Sequence, residues 1–215
     1  MKLIYRIYQL FVVLPFLIFS SIACALVTTI GCTLGDGHYW GYYPGKWWGR
    51  FIIWVSLLPI KVEGREHLRK DQSYVFVSNH QGSFDIFIIY GFLGRNFKWM
   101  MKQGLRKIPF VGKACEGARS FTGHMGVFRR GAFMLADELQ LPVCPLTING
   151  AFDVMPRMRD WRWLTWHRLS LTIHEPIYPT TQGPENVKTT MDEAYKRVMS
   201  GLVKEYQGFV ENPDQ

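Results

Sequence analysis

The longest hydrophobic pattern in the chain lies near its N-terminus. No charged residue occurs from Ile7 to Gly35, and a helix that crosses a bilayer needs about 20 apolar residues. A signal peptide is the alternative interpretation, because Lys2 and Arg6 precede the apolar run. The apolar region of a signal peptide is only about 7–15 residues long, so the pattern favours a helix that stays in the membrane.

A second, aromatic segment follows at residues 38–59. Lys46 and Arg50 interrupt its apolar character, which indicates a helix lying in the membrane interface more than one crossing the bilayer. Its large apolar residues fall at helical spacings: Trp47, Trp48, Phe51, Trp54, Val55 and Leu58. Pro15 and the break at residues 35–37 would let the two helices form a hairpin. We therefore predict a membrane-anchoring two-helix region at residues 1–59 and a second domain at residues 60–215.

After Pro59 the pattern changes to short elements. Residues 60–73 are polar and rich in turn formers. The pattern then predicts strands at residues 74–80, 97–101, 141–150 and 168–177, and helices at residues 84–94, 127–140 and 186–207. Strands that alternate with helices predict an α/β domain with a mixed, largely parallel sheet flanked by helices.

Residues 77–87, VSNHQGSFDIF, place a histidine and a carboxylate at the end of a predicted strand. In open α/β sheets, ligands bind at the carboxyl ends of the strands. Gly82 permits a tight turn, Ser83 suits the N-cap of the next helix, and Asp85 falls in its first turn. A carboxylate there would orient the His80 imidazole and make it a better proton acceptor. The alternative is a surface histidine beside an aspartate that caps a helix.

Composition adds a preference for anionic and interfacial partners. The 215-residue chain has a formal net charge of +8 and contains eight Trp, ten Tyr and fifteen Phe, and Trp and Tyr favour membrane interfaces. The basic residues form no stripe, so nucleic-acid binding is not expected. Cys24, Cys32, Cys115 and Cys144 form no CxxC pair, and we expect free thiols in a reducing compartment, no metal site and no cofactor.

Several motifs resemble those of one enzyme family. NHQGSFD at residues 79–85 matches the NHxxxxD motif of the glycerolipid acyltransferases and is most similar to that of bacterial 1-acyl-sn-glycerol-3-phosphate acyltransferases. KQGLRKIPFVGK at residues 102–113, EGARS at residues 116–120 and LPVCPLTING at residues 141–150 resemble three further motifs, in the family's order. The aromatic two-helix anchor resembles the family's as well, so the resemblance covers nearly the whole chain.

The resemblance implies transfer of an acyl group from an acyl-carrier-protein or coenzyme A thioester to the free hydroxyl of lysophosphatidate, which gives phosphatidate. His80 would deprotonate the hydroxyl, and Asp85 would orient His80. The resemblance assigns the acceptor's phosphate to residues of the second and third motifs: Lys102, Glu116, Gly117 and Arg119. It also implies a protein held at the inner membrane, with its catalytic domain facing the cytoplasm.

The chain departs from the family between those two motifs. Only three residues separate Gly112 from Glu116, where the family has a strand–helix–strand unit, and such a unit needs about 30 residues. An arginine-bearing motif and a strand ending in Phe-Pro are therefore missing. Loss of a central strand leaves backbone N–H and C=O groups of the neighbouring strands without hydrogen-bond partners. We accordingly keep a second hypothesis, a catalytically inactive derivative that binds only membrane or lipid.

Overall fold

The computed structural model of the chain describes residues 2–99, 122–156 and 163–208. The helices in these ranges are α1 (Lys2–Tyr8), α2 (Leu14–Leu34), α3 (Gly37–Trp40), α4 (Tyr43–Val55), α5 (Phe84–Phe92), α6 (Arg130–Glu138), α7 (Ala151–Val154) and α8 (Pro184–Gly201). The strands are β1 (Ile60–Glu63), β2 (Val75–Ser78), β3 (Val143–Asn149) and β4 (Leu169–Ile173). A π-helical segment, Gln9–Val13, joins α1 to α2.

The four described strands form one mixed sheet in the order β1-β4-β3-β2. β1 runs parallel to β4 and β2 runs parallel to β3, while β3 and β4 are antiparallel. Val75 pairs with Val143 and Ser78 pairs with Leu146, so β2 and β3 end at the same edge of the sheet. The predicted α/β fold with a mixed, largely parallel sheet is confirmed.

Helices cover both faces of this sheet, and β3 is buried on both sides. All seven residues of β3 are buried, as expected for a central strand. Leu146 and Ile148 face a core shared with α4 and α5. Val143 faces a second core that includes side chains of α6 and α8. Burial of apolar surface on both faces therefore holds the sheet between two helical layers.

The N-terminal helix is continuous from Lys2 to Leu34 and is long and apolar enough to cross a membrane. Pro15 does not end it, since the π-helical segment accommodates a proline that has no backbone N–H to donate. The hydroxyls of Tyr5 and Tyr8 donate to backbone carbonyls just after and at the end of α4, at 2.7 and 2.8 Å. The predicted N-terminal apolar helix is therefore confirmed, and its first turns are fixed to α4.

The outward face of this helix is a long row of exposed apolar side chains. They include Leu3, Ile4, Ile7, Leu10, Phe11, Leu14, Ile18, Phe19, Ile22, Leu26, Ile30 and Leu34. Soluble monomers rarely expose an apolar patch of this extent. The row is suited to contact with lipid.

Helix α4 has two different faces. Gly49, Ile52 and Ile53 are buried, and both isoleucines belong to the core that contains α5. The opposite face exposes three aromatic side chains: Trp47, Phe51 and Trp54. The core therefore continues across residue 59, while an aromatic surface stays open beside the N-terminal helix.

Two local predictions are wrong. Residues 60–63, interpreted as part of a turn-rich segment, form β1, whose side chains alternate between half-buried and exposed because it lies at the sheet edge. Residues 97–99, the described part of a predicted strand, form no strand. The rings of Phe97 and Trp99 pack instead against Tyr90 of α5, at 5.0 and 6.0 Å between centroids.

The crossing of α4 and α5 predicts a steric effect at Gly49. A Cβ at this position would lie 2.8 Å from the carbonyl oxygen of Phe87 and 3.0 Å from the backbone nitrogen of Gly91. We expect Gly49→Ala to lower the free energy of unfolding by about 1–3 kcal/mol, because the backbone of α5 must move. The measurement is chemical denaturation in detergent.

Gly131→Ala on α6 is the matched control, since nothing lies within 4 Å of a Cβ there. We expect this control to leave the free energy of unfolding unchanged or slightly raised. Equal stability of the two variants would contradict the close crossing.

Candidate active site

His80 and Asp85 meet at the carboxyl edge of β2. β2 ends at Ser78, and Asp85 lies in the first turn of α5. His80 Nδ1 lies 2.6 Å from Asp85 Oδ2. Because an ionised carboxylate only accepts hydrogen bonds, Nδ1 is the nitrogen that donates to Asp85. In the neutral imidazole, this arrangement leaves the lone pair on Nε2, on the side away from Asp85.

Backbone amides hold the Asp85 carboxylate in place. Oδ2 also accepts hydrogen bonds from the N–H groups of Gln81 at 2.7 Å and Gly82 at 3.0 Å. The Asp85 side chain is 4% exposed, whereas the His80 side chain is 27% exposed. A buried charge needs such partners, and the partially exposed imidazole stays accessible to a ligand.

Asn79 joins the end of β2 to β3 through its side chain. Its Nδ2 donates to the carbonyl of Ile148 at 2.7 Å, and its Oδ1 accepts the N–H of Ile148 at 2.8 Å. This pair of bonds extends the contact between the two parallel strands past Ser78. The position of His80 is thereby fixed relative to the central strand.

Gln81 connects the same turn to a second part of the chain. Its side chain is fully buried, and Nε2 donates to the carbonyl of Gly123 at 3.0 Å. Within the described residues, Gln81 Oε1 and Asp85 Oδ1 are buried acceptors without a hydrogen-bond donor. Each of these two oxygens retains capacity for a further donor beside the histidine.

Gly82 lies where the turn approaches α7. A Cβ on Gly82 would lie 3.0 Å from the carbonyl oxygen of Ala151 and 3.3 Å from that of Met155, so the turn has little room for a side chain. Ser83 occupies the N-cap position of α5 as predicted, but its side chain makes no capping hydrogen bond there. Asp85 instead binds the two amides that precede the helix.

The four residues assigned to the acceptor's phosphate lie outside the described residues: Lys102, Glu116, Gly117 and Arg119. Cys115 and the short join before Glu116 lie there as well. Cys24, Cys32 and Cys144 are free thiols. Across residues 2–99, 122–156 and 163–208, no group of three or more His, Cys, Asp or Glu side chains is placed to hold a metal ion.

Sequence reasoning gave no role to Asn79 or Gln81, although both stand in the NHQGSFD motif. The sequence does place a polar residue directly after a strand rich in β-branched residues. At such a position a side chain can replace the next backbone hydrogen bond between two strands. The structure shows both side chains buried and hydrogen-bonded to backbone. Both side chains support the His80 turn.

Known proteins resemble the chain in sequence and in fold. A family model described as Acyltransferase matches residues 59–116. A chloroplastic 1-acyl-sn-glycerol-3-phosphate acyltransferase from Arabidopsis thaliana is 29% identical over 175 residues, which cover 64% of this chain and 48% of that protein. The alpha form of that enzyme from Mus musculus is 24% identical over 171 residues, covering 62% of this chain and 60% of that protein.

The crystal structure of the 1-acyl-sn-glycerophosphate acyltransferase PlsC from Thermotoga maritima has the same fold. It superposes with a TM-score of 0.67 and 23% identity, covering 91% of this chain and 93% of that one. The chain is therefore similar in sequence to 1-acyl-sn-glycerol-3-phosphate acyltransferases and shares the fold of one of them. It spans about half the length of the first two curated relatives it matches.

The two hydrogen bonds of Asn79 predict a large effect of its removal. Asn79→Ala should lower the free energy of unfolding by about 2–3 kcal/mol, because it leaves the buried N–H and C=O of Ile148 without these partners. Chemical denaturation followed by circular dichroism measures the change. Asn96→Ala is the control, since Asn96 makes one exposed hydrogen bond, to the carbonyl of His38. A similar loss in both variants would contradict the bridging role of Asn79.

Proposed function

We propose that this protein transfers a fatty acyl group from a thioester to the free hydroxyl of 1-acyl-sn-glycerol 3-phosphate, forming phosphatidate. The observation that carries the proposal is the 2.6 Å contact between His80 and Asp85 at the carboxyl edge of β2. A histidine backed by a carboxylate can take a proton from a hydroxyl. Relatives named as 1-acyl-sn-glycerol-3-phosphate acyltransferases support the choice of acceptor.

In the proposed reaction, His80 Nε2 accepts the proton of the acceptor's hydroxyl while the oxygen attacks the thioester carbonyl carbon. The tetrahedral intermediate then collapses, and the C–S bond breaks. The imidazolium gives its proton to the departing sulfur, so the histidine returns to its starting state. One free thiol is released for each ester bond formed.

Asp85 acts on His80 and not on the substrate. It holds Nδ1 as the protonated nitrogen, which points the lone pair of Nε2 toward the acceptor. Its negative charge stabilises the imidazolium that forms during the attack. Its own position is fixed by the amides of Gln81 and Gly82, so the pair is arranged before substrate binds.

We assign the acceptor's phosphate to Arg119, with Glu116 and Gly117 beside it and Lys102 as a further contact. The support is the match of residues 116–120 to the family's EGTRS motif and the chemistry of the side chains. A guanidinium offers two parallel N–H donors to two phosphate oxygens, and an ammonium adds a point charge.

We also propose that residues 1–59 hold the protein at the inner membrane, while residues 60–215 carry the chemistry on the cytoplasmic side. The exposed apolar row of α1 and α2 and the exposed rings of α4 support attachment. Lys and Arg before and after the apolar run support an orientation in which both ends face the cytoplasm. The donor is the thioester of acyl-carrier protein or coenzyme A.

Membrane or lipid binding without catalysis is a second candidate function. The observation that favours it is the position of β2, which pairs only with β3 within the described part of the chain. A catalytic motif at a sheet edge has a neighbouring strand on one side alone. The two candidates differ in whether the folded chain releases thiol in a manner that requires the His80–Asp85 pair.

The proposed role of Asp85 predicts a kinetic effect of replacing its carboxylate with the neutral amide of asparagine. Asp85→Asn should lower kcat by about 10²–10⁴-fold with little change in KM, because the neutral side chain cannot stabilise the imidazolium. The measurement is thiol release with lysophosphatidate as acceptor.

Asp71→Asn is the control, since Asp71 lies in an exposed ion pair with Arg69. Full activity of Asp85→Asn would remove Asp85 from the mechanism. No activity in folded wild-type protein would favour the second candidate.

The phosphate assignment predicts a separate effect at Arg119. Arg119→Ala should raise KM for lysophosphatidate roughly ten-fold or more and leave KM for the thioester nearly unchanged, because only the acceptor loses a charged hydrogen bond. Initial rates measured with each substrate varied in turn provide the test. Arg69→Ala serves as the control for loss of an exposed arginine. An unchanged KM for lysophosphatidate would exclude Arg119 from the phosphate site.

A further inference from the structure

A second group of cations lies at the far end of α5 from His80. Arg50 Nε donates to the carbonyl of Gly91 at 2.7 Å, and a terminal nitrogen of Arg65 donates to the carbonyl of Phe92 at 2.7 Å. Lys46 lies one helical turn before Arg50 on α4. His80 precedes the start of α5, so the two ends of this nine-residue helix lie about 12 Å apart along its axis.

Lys46, Arg50 and Arg65 form a cation cluster. Its positive charge exceeds the partial negative charge at the C-terminal end of α5. A helix C-terminus carries about half a negative charge, whereas the cluster carries three positive charges. None of the three cations forms an ion pair with a carboxylate of the described residues; Glu63, the nearest acid before Arg65 in sequence, pairs with Lys61. Partial burial, with Arg50 and Arg65 nearby, lowers the pKa of Lys46. The cluster therefore lacks a counter-charge within the described part of the chain.

Tyr42 adds a buried hydrogen-bond donor to this cluster. The residue is 3% exposed, and its hydroxyl has no hydrogen-bond partner among the described residues. Burial and the neighbouring Tyr43 raise the pKa of Tyr42 to about 12, so the hydroxyl keeps its proton at neutral pH and can donate. Lys46 Nζ lies 5.9 Å from the centre of the Tyr42 ring, and the positive charges of Arg50 and Arg65 act on the pKa of Tyr42 in the opposite, lowering direction. A buried hydroxyl without a partner is costly unless a ligand satisfies it.

The cluster lies at the border between the protein core and the open aromatic surface of α4. Successive residues of a helix are rotated by 100°. Lys46 and Arg50 therefore lie between the buried face of α4 and its exposed aromatic face. The buried face consists of Gly49, Ile52 and Ile53, and the exposed face of Trp47, Phe51 and Trp54. The Arg50 guanidinium carbon lies 5.3 Å from the centre of the Trp47 ring. Tryptophan rings settle at the level of lipid headgroups, so a protein attached by this surface would hold the cluster at phosphate depth.

We propose that Tyr42, Lys46, Arg50 and Arg65 form a second phosphate-binding site, separate from the catalytic centre. The phosphate accepts a hydrogen bond from the Tyr42 hydroxyl and is neutralised by the three cations. The ligand is a phosphate group, supplied either by an anionic phospholipid at the membrane surface or by a free phosphate. The lipid source depends on the membrane attachment proposed above, and neither source depends on acyl transfer.

The test uses the full chain carrying His80→Ala, so that no turnover alters the lipids. Binding to vesicles of phosphatidylcholine, with and without phosphatidylglycerol, is measured by flotation for this chain and for four further variants. Tyr42→Phe and Lys46→Gln change the site. Tyr43→Phe, which alters the exposed neighbouring tyrosine, and Lys188→Gln, which alters an exposed lysine of α8, are their matched controls.

We expect Tyr42→Phe to weaken binding to the anionic vesicles roughly ten-fold, because a hydrogen bond to a charged group is lost without any change in net charge. Lys46→Gln should weaken it about five-fold. Both controls should bind like the parent. Without anion, Tyr42→Phe should melt at the same temperature as the parent or higher, since it removes a buried hydroxyl that lacks a partner.

A parallel titration of the detergent-solubilised chain with inorganic phosphate, followed by melting temperature, separates the two sources. A phosphate-dependent rise that Tyr42→Phe abolishes supports a site for free phosphate, and an effect of Tyr42→Phe on vesicles alone supports a lipid headgroup. If Tyr42→Phe binds both probes as tightly as Tyr43→Phe does, the proposal is overturned. It is also overturned if Lys46→Gln and Lys188→Gln weaken vesicle binding equally, because the attraction is then only diffuse.

Discussion

One carboxylate oxygen, Asp85 Oδ2, holds together the turn that carries His80. It accepts three hydrogen bonds, from the His80 ring and from the amides of Gln81 and Gly82. A buried carboxylate is stable only with such partners, and each bond to a charged group contributes about 1.5–3 kcal/mol. The same three bonds close the turn after β2, start α5 and leave the imidazole with one nitrogen free to take a proton.

The surrounding fold keeps this turn in place from two sides. Asn79 ties it to the central strand through Ile148, and Gln81 ties it to Gly123. α5, which begins at the turn, packs against α4, and α4 in turn holds the N-terminal helix through Tyr5 and Tyr8. The surface that suits lipid and the His80–Asp85 pair are therefore parts of one packed structure. Attachment at the membrane would set the orientation of His80 as well as its location.

Strong local patterns made much of the fold predictable from the sequence. The apolar run at residues 7–35 and the helical and strand patterns of residues 74–94 and 168–207 have counterparts in the structure. β1 was missed because its alternation of apolar and polar residues spans only four positions and runs directly into the polar, turn-rich residues that follow. The strand predicted at residue 97 failed because aromatic packing onto α5 outweighs the β propensity of Phe97 and Trp99.

The candidate site was predictable only where the chemistry is local. His80 and Asp85 stand within one turn, so their contact was one of the two arrangements that the local sequence allowed. Asn79 reaches Ile148, 69 positions away, and Gln81 reaches Gly123, 42 positions away; no pattern within the motif indicates these partners. The cation cluster is non-local as well, since Lys46 and Arg65 belong to segments on either side of β1.

The central claim is that His80 accepts the proton of a lysophosphatidate hydroxyl. Its most direct test is thiol release from acyl-carrier-protein and coenzyme A thioesters by the purified chain in lipid vesicles, compared with His80→Ala. Both proteins are first shown to be folded and vesicle-bound. The account predicts lysophosphatidate-dependent release of thiol by the native chain that His80→Ala abolishes. Equal release by the two proteins, or none by the folded native chain, would contradict it.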